Sequence, residues 1–284
     1  MKQYNFTKMS GAGNDFVMFD SKMNPELELS PDFIARICKR HTGIGADGVI
    51  LISDSDEFPF EMTYYNADGS TGSLCANGAR CSLKYANVSG RIGNDKIFFR
   101  SNGNIYSGKV FDDGKVQFFL NHPKKMKQNF KIAVRNQLIP ASFADTGSPH
   151  IIIRIKDVLK NPGDESSFYD DINDFPVAEL GREIRYHKDF APAGVNVNFI
   201  KQEEGYIKIR SYERGVEDET LACGTGSVAA ALITFVKEGT YPPMKLLPKS
   251  GDELTVDFRI MDMKVQDLSL TGPAEVIFEG ELSI

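Results

Sequence analysis

Two cysteines share one local grammar. Cys75 stands in Leu74-Cys75-Ala76-Asn77-Gly78-Ala79-Arg80-Cys81, and Cys223 in Glu219-Thr220-Leu221-Ala222-Cys223-Gly224-Thr225-Gly226-Ser227. In each, Cys-x-x-Gly leads into a run that predicts a helix: Ser82-Leu83-Lys84-Tyr85-Ala86 in the first, the apolar residues 228–233 in the second. A cysteine at a helix N-terminus meets unpaired N–H groups and the positive end of the dipole. Its thiol ionises more readily there, and the thiolate is the reactive form. A lone cysteine is more often buried packing; the repeat argues otherwise. A strand-like segment ending in tyrosine precedes each copy, Glu61-Met62-Thr63-Tyr64-Tyr65 and Ile207-Lys208-Ile209-Arg210-Ser211-Tyr212. Two copies in two halves suggest two similar domains facing each other, with two helix N-termini bracketing one small anionic ligand.

Composition narrows the alternatives. At 284 residues the chain has room for two cores, and its net charge of −6 with no long basic run argues against nucleic acid. The Lys124, Lys125, Lys127 cluster reads as a solvated loop. No apolar run reaches membrane-spanning length, and the polar start, Met1-Lys2-Gln3-Tyr4-Asn5-Phe6, does not read as a signal peptide. Four cysteines are too few for a disulfide scaffold and fit a reducing cytoplasm. Metal spacing is absent: Cys75 and Cys81 are not a ligand pair, and His41, His122, His150 and His187 are scattered.

Residues 4–9 alternate as a strand and lead through Gly11-Ala12-Gly13-Asn14 into a second strand. A dinucleotide loop would need a third glycine and a following helix, so this is a turn between strands. Asn14 stands out in it. Ser30 followed by Pro31 marks a helix start, with Phe33, Ile34, Ile37 and Cys38 on one face. Residues 43–48 form a glycine-rich loop before the apolar strand 49–52. Phe58 to Tyr65 is a further strand, followed by turn chemistry at Asn66-Ala67-Asp68-Gly69-Ser70. Strands and Asp-Gly turns follow Lys96, and the Pro/Lys/Asn-rich stretch 121–129 reads as a linker. In the second half, Asp145-Thr146-Gly147-Ser148-Pro149-His150 occupies the place of the Gly11–Asn14 turn, which singles out His150. Residues 178–186 read as a short helix. Asn196 and Asn198 share one face of an alternating strand, and asparagine is disfavoured in strands, so Asn196 hints at ligand contact. The last strands lie beyond residue 268.

Together these motifs resemble the diaminopimelate epimerase family of pyridoxal-phosphate-independent racemases. They are Gly-x-Gly-Asn-Asp-Phe at 11–16, Gly-Ile-Gly-Ala-Asp at 43–47, Asn-Ala-Asp-Gly-Ser at 66–70 and Cys-x-Asn-Gly-Ala-Arg-Cys at 75–81. Thr-Gly-x-Pro-His at 146–150, Val195-Asn196, Tyr-Glu-Arg-Gly at 212–215 and Ala-Cys-Gly-Thr-Gly at 222–226 complete the set in family order. The resemblance implies an α+β fold of two pseudo-symmetric domains, each a mixed sheet around a central helix. Residues 1–121 with returning strands 269–284 would form one, and residues 122–268 the other. A homodimer, a cytoplasmic location, a small-molecule substrate and no cofactor are implied as well. Four positions depart from the family pattern: Ser10, Gly48, Ala76 and Ser148.

The activity so implied is cofactor-independent inversion of LL-2,6-diaminopimelate to the meso form, for lysine and peptidoglycan biosynthesis. Cys223 and Cys75 would act as base and acid on opposite faces of the α-carbon, with His150 and Glu213 tuning their titration. Backbone N–H groups of Ala76, Asn77, Gly224 and Thr225 would hold the α-carboxylate. Arg214, Glu213, Asn14, Asn66 and Asn196 would hold the distal end. The alternatives are a proline or hydroxyproline racemase of the same fold, a redox protein pairing the two cysteines, and a catalytically idle amino-acid-binding module.

Overall fold

The computed structural model describes residues 2–72 and 74–283. The chain divides into two compact units, Met1–Phe119 with Thr271–Ile284, and Leu120–Leu270.

The first unit opens with β1 (Gln3–Gly11) and β2 (Asn14–Asp20), an antiparallel hairpin in which Gly11 pairs with Asn14. The two turn residues, Ala12 and Gly13, both have positive φ (59° and 86°), the twist a two-residue hairpin requires. Helix α1 (Pro31–Cys38) starts where Ser30 predicts, its side chain accepting from Phe33 N–H at 3.2 Å, and it buries Ile34, Ile37 and Cys38. Strand β3 (Gly48–Ser53) runs parallel to β2, and β4 (Glu61–Asn66) antiparallel to β3. Helix α2 (Ala76–Val88) follows, buried on almost every face of its first three turns. Although it carries Asn77, Arg80 and Ser82, it is enclosed rather than laid on one face, and α2 packs against β1 to β4. Strand β5 (Ile97–Ser101) lies parallel to β4, and β6 (Asn104–Val110) and β7 (Val116–Phe119) continue as an antiparallel meander. Both also pack on α2.

The second unit repeats this order. Strands β8 (Lys125–Val134) and β9 (Gln137–Asp145) form a hairpin turned at Arg135 and Asn136, both with positive φ. The stretch 121–129 is therefore not all linker. Its polar residues from Lys125 onward are the exposed face of β8, bulged between Lys127 and Phe130, while Met126, Phe130 and Ile132 turn inward. Strand β10 (Pro149–Arg154) is antiparallel to β9, helix α3 (Val177–Arg185) follows, and β11 (Asn196–Glu203) is parallel to β10. Strand β12 (Tyr206–Glu213) is antiparallel to β11 and carries the short β13 (Asp218–Thr220). Helix α4 (Gly224–Glu238) is buried from Gly224 to Thr234 and ends on Gly239 in the left-handed region, φ 68°. Strand β14 (Met244–Leu247) is parallel to β12 and β15 (Leu254–Met261) antiparallel to β14. Strand β16 (Lys264–Gly272) follows, and β17 (Glu275–Ser283) pairs with β1 in the first unit.

Each unit thus runs through a hairpin, a helical crossover, a parallel strand, its antiparallel partner, a cysteine-capped helix and another parallel strand. The architecture is α+β, two topologically alike units with a buried helix in each. Among the described residues no helix is long and apolar enough to cross a membrane.

Candidate active site

Cys75 is the N-cap of α2, with φ −105° and ψ 111°. Its sulfur accepts from Gly78 N–H at 3.4 Å, and the helix's own ladder begins only with Ala79 N–H to the Cys75 carbonyl at 2.8 Å. The N–H groups of Ala76 and Asn77, both buried, precede that ladder and are the donors a helix N-terminus offers an anion. Gly11 permits the close approach of this turn to β1: a Cβ there would lie 2.9 Å from the Asn77 carbonyl oxygen.

Asn14 reaches the same corner from the start of β2. Its Oδ1 accepts from the Cys75 thiol at 3.6 Å and from Asn77 Nδ2 at 3.3 Å. Its Nδ2 donates to Asp47 Oδ2 at 2.6 Å, which sets the amide's direction, since an oxygen there would oppose a carboxylate. Asp47 in turn sits in a charged cluster. Arg40 bridges Asp47 at 2.5 Å and Asp15 at 2.8 Å, and buried Lys8 pairs with Asp15 at 2.7 Å. Burial pushes the Asp15 carboxyl up, but hydrogen bonds from Arg40 and Lys8 outweigh it and bring it to about 2. Burial and the charge of Asp15 hold Asp47 above the ordinary carboxylate value.

Asn66 behaves differently. Its Nδ2 donates to Ser70 Oγ at 3.0 Å and its backbone closes the turn onto Ser70, so it holds the Asn-Ala-Asp-Gly-Ser loop. Gly48 pairs with it across β3 and β4. A Cβ at Gly48 would fall 2.5 Å from the Tyr65 carbonyl oxygen, so this departure from the family pattern is enforced by its neighbours.

Cys223 caps α4 with almost the same backbone, φ −108° and ψ 105°. The ladder begins with Ser227 N–H to the Cys223 carbonyl at 2.9 Å, again leaving the first N–H groups, those of Gly224 and Thr225, ahead of it. Burial drives the Cys223 thiol well above its ordinary pKa, and the negative charge of Glu213, which accepts from the thiol, adds to the rise; the Gly226 N–H and the Thr225 hydroxyl oppose it. Glu213 is anchored at the end of β12 by Thr220 Oγ1, which donates to Oε1 at 2.5 Å. Cys223 therefore rests as a thiol beside a carboxylate placed to accept its proton.

His150 is fully buried at the start of β10, opposite Asn196 in the parallel ladder. Its Nε2 lies 2.9 Å from Thr225 Oγ1, and that hydroxyl lies 3.8 Å from Cys223 Sγ. Burial, with the nearby Arg214 charge, lowers its pKa to about 3. Thr146 Oγ1, in the turn before β10, donates to the Thr225 carbonyl at 2.9 Å and ties that turn to α4. Asn196 accepts from Arg214 N–H at 2.9 Å and donates to the Pro149 carbonyl at 3.1 Å. It fixes the backbone from which Arg214 extends, whose guanidinium donates to the Ala193 carbonyl at 3.4 Å.

In the first unit Cys75, Ala76, Asn77 and Asn14 come together, with Asn66 on a neighbouring loop. In the second, Cys223, Gly224, Thr225, His150 and Glu213 form one cluster, with Asn196 and Arg214 beside it. Sequence reasoning missed Asp47, Thr220 and Asn198. Asn198 carried a signal, since it shares the polar face of β11 with Asn196. Among the described residues no group of His, Cys, Asp or Glu is placed to hold a metal ion.

The sequence profile described as "Diaminopimelate epimerase" matches residues 6–126 and 142–277. A diaminopimelate epimerase of Aquifex aeolicus is 38% identical over 291 residues, covering 98% of this chain and 97% of that protein. One from Chlorobaculum tepidum is 35% identical over 279 residues, covering 97% and 100%. Among solved structures, a Bacillus anthracis phenazine biosynthesis protein of the PhzF family superposes with a TM-score of 0.73 at 15% identity, covering all of both chains. A hydroxyproline epimerase from Agrobacterium vitis, with trans-4-hydroxy-L-proline bound, gives 0.71 at 14% identity, covering 99% of this chain and 93% of that one. At such identities these two structures establish a shared fold.

Proposed function

This chain belongs to the diaminopimelate epimerase family, and from that premise we propose that it inverts one α-carbon of LL-2,6-diaminopimelate to give the meso form, reversibly, with two cysteines as acid and base. The observation that carries the reading is the matched pair of cysteine N-caps, Cys75 on α2 and Cys223 on α4, with backbone angles within about 6° of each other. One group cannot reach both faces of a planar carbanion without rotating the ligand, so inversion of a ligand held in place needs two.

The proton bookkeeping follows from the site. Glu213 takes the Cys223 proton, leaving thiolate and neutral acid. The thiolate removes the α-proton. The Cys75 thiol, which donates to Asn14 Oδ1 at 3.6 Å, delivers its proton to the opposite face. The reverse reaction exchanges the two roles. The N–H groups of Ala76, Asn77, Gly224 and Thr225 hold the α-carboxylate and the charge that builds behind it. One oriented donor of this kind is worth about 3 kcal/mol in a transition state. Arg214 takes the distal carboxylate, and Glu213, before it takes the Cys223 proton, is the acceptor for an ammonium. Asn14, Asn66 and Asn196 each already use one N–H on the protein, so the second N–H of each amide is the one assigned to substrate. The working form is a cytoplasmic homodimer, as family membership implies, and light scattering tests its mass.

Chiral separation after incubation with LL-diaminopimelate, and separately with L-proline and trans-4-hydroxy-L-proline, tests the reading. Meso-diaminopimelate alone should appear. Inversion of a proline instead would move the chain to the sister racemases.

A further inference from the structure

The mechanism leaves Asn198 without a role, although it is fully buried at the centre of the second unit's cluster. Its hydrogen bonds admit one orientation only. Nδ2 lies 3.1 Å from the Ile151 carbonyl oxygen, which can only accept, and Oδ1 lies 2.8 Å from the Ser211 hydroxyl. The amide nitrogen must therefore face its remaining neighbour, His150 Nδ1, at 3.1 Å. A donor facing Nδ1 requires a lone pair there. A neutral imidazole then carries its proton on Nε2, and an imidazolium would set N–H against N–H. The Nε2 proton points at Thr225 Oγ1, 2.9 Å away, so that oxygen is an acceptor from His150 and its own proton is left for Cys223 Sγ at 3.8 Å.

We propose that Asn198 is a positioning residue that locks His150 as the Nε2–H tautomer, so that the Thr225 hydroxyl is held as a donor to the Cys223 sulfur. The chain Ser211, Asn198, His150, Thr225, Cys223 is an orientation relay and moves no proton. It offsets the forces that resist ionisation of a buried thiol beside Glu213: once Glu213 has taken the proton, the thiolate finds a donor already aimed at it. His150 is then neither base nor acid, because Nδ1 is covered by the Asn198 amide and Nε2 already bears hydrogen. Charged and titratable groups facing this cluster are Glu213 and Arg214 from the end of β12 and Cys223 from α4. The catalytic purpose rests on the epimerase reading; the tautomer does not.

The first test reads the tautomer directly in the unaltered site. Two-bond proton–nitrogen correlation spectra of the full chain labelled with 15N-histidine, with His150 identified by loss of its signals in His150→Gln, should show Nδ1 bare and Nε2 protonated from pH 5 to 9. A protonated Nδ1, or an imidazolium forming in that range, would overturn the proposal. In Asn198→Asp the carboxylate accepts from Nδ1, so the spectrum should turn to the Nδ1–H or charged form, and kcat/KM should fall about 10- to 100-fold, as for a lost hydrogen bond to a charged group. Thr225→Ser, which keeps the hydroxyl, should lose less kcat/KM than Thr225→Val, which should fall as far as Asn198→Asp, the hydroxyl donor being what separates them. Equal activity of Ser and Val variants would refute the relay. The correct tautomer in a protein that inverts no diaminopimelate would sink the functional reading and leave the tautomer lock standing.

Discussion

Gly78 and Gly226 hold the same place in the two Cys-x-x-Gly turns, yet alanine should act on them in opposite directions. A Cβ at Gly226 would lie 2.2 Å from Asn198 Oδ1 and 3.2 Å from Cys223 Cβ. The Asn198 amide has nowhere to retreat, being held by Ile151, His150 and Ser211. Alanine in a helix gains about 1 kcal/mol over glycine. Overpacking of a rigid site costs about 1–3 kcal/mol, and loosening the Ser211 bond to Asn198 Oδ1, the atom the new Cβ meets, costs about 1 kcal/mol. Gly226→Ala should therefore lose about 2 kcal/mol net, or about 4–8 °C in the first thermal transition. Its kcat/KM should drop at least about tenfold, because Cys223 and the His150 cluster shift together. At Gly78 the nearest atoms are the ends of flexible side chains, Ile50 Cδ1 at 2.9 Å and Met62 Cε at 3.4 Å. Those can yield, so Gly78→Ala should be neutral or up to about 1 kcal/mol more stable, with activity near wild type. The assay is scanning calorimetry of both variants beside chiral turnover. Equal melting shifts, or the reverse order, would refute the reasoning.

Glu213→Gln keeps the shape but cannot accept the Cys223 proton; kcat/KM should fall about 100-fold or more with the melting temperature little changed, and full activity would remove Glu213 from the mechanism. Asp15, at about 2 against the ordinary 3.8, has a depressed folded pKa, so the stability it supplies is complete above 3.8 and is lost as pH falls through about 2. Asp15→Asn should thus cost on the order of 2 kcal/mol at pH 7, and denaturant titrations of the two proteins should converge between about pH 4 and 2; a gap constant with pH would show that the ion pairs with Lys8 and Arg40 are not its source.

What could be read in the sequence was what is local in the chain. Ser30 with Pro31, Cys75 with Gly78 and the Ala12-Gly13 turn lie within a few residues of their partners, so residue type alone implied their geometry. The repeat also survived, because strand, loop, cysteine and helix recur in order. The orienting contacts were not legible. Asn14 meets Asp47 across 33 residues, and Asn198 meets His150 across 48. Both depend on the parallel pairings of β2 with β3 and β10 with β11, which juxtapose strands separated by a helix. Lys125 to Asn129 misled through composition: an exposed strand face has the same polar residues as a linker. Asn66 and Asn196 were singled out as ligand contacts, and the structure gives each a backbone-holding role in its own loop besides the contact proposed.

The central claim is that two thiols act on opposite faces of one α-carbon, and isotope placement tests it most directly. Reduced protein, Cys75→Ala and Cys223→Ala are each incubated with LL-diaminopimelate in deuterium oxide, and the products separated chirally and weighed. The account predicts meso product from the wild type with one deuterium at the inverted carbon, and no inversion from either variant. Meso product formed without solvent deuterium, or full inversion by a variant lacking one thiol, would contradict it.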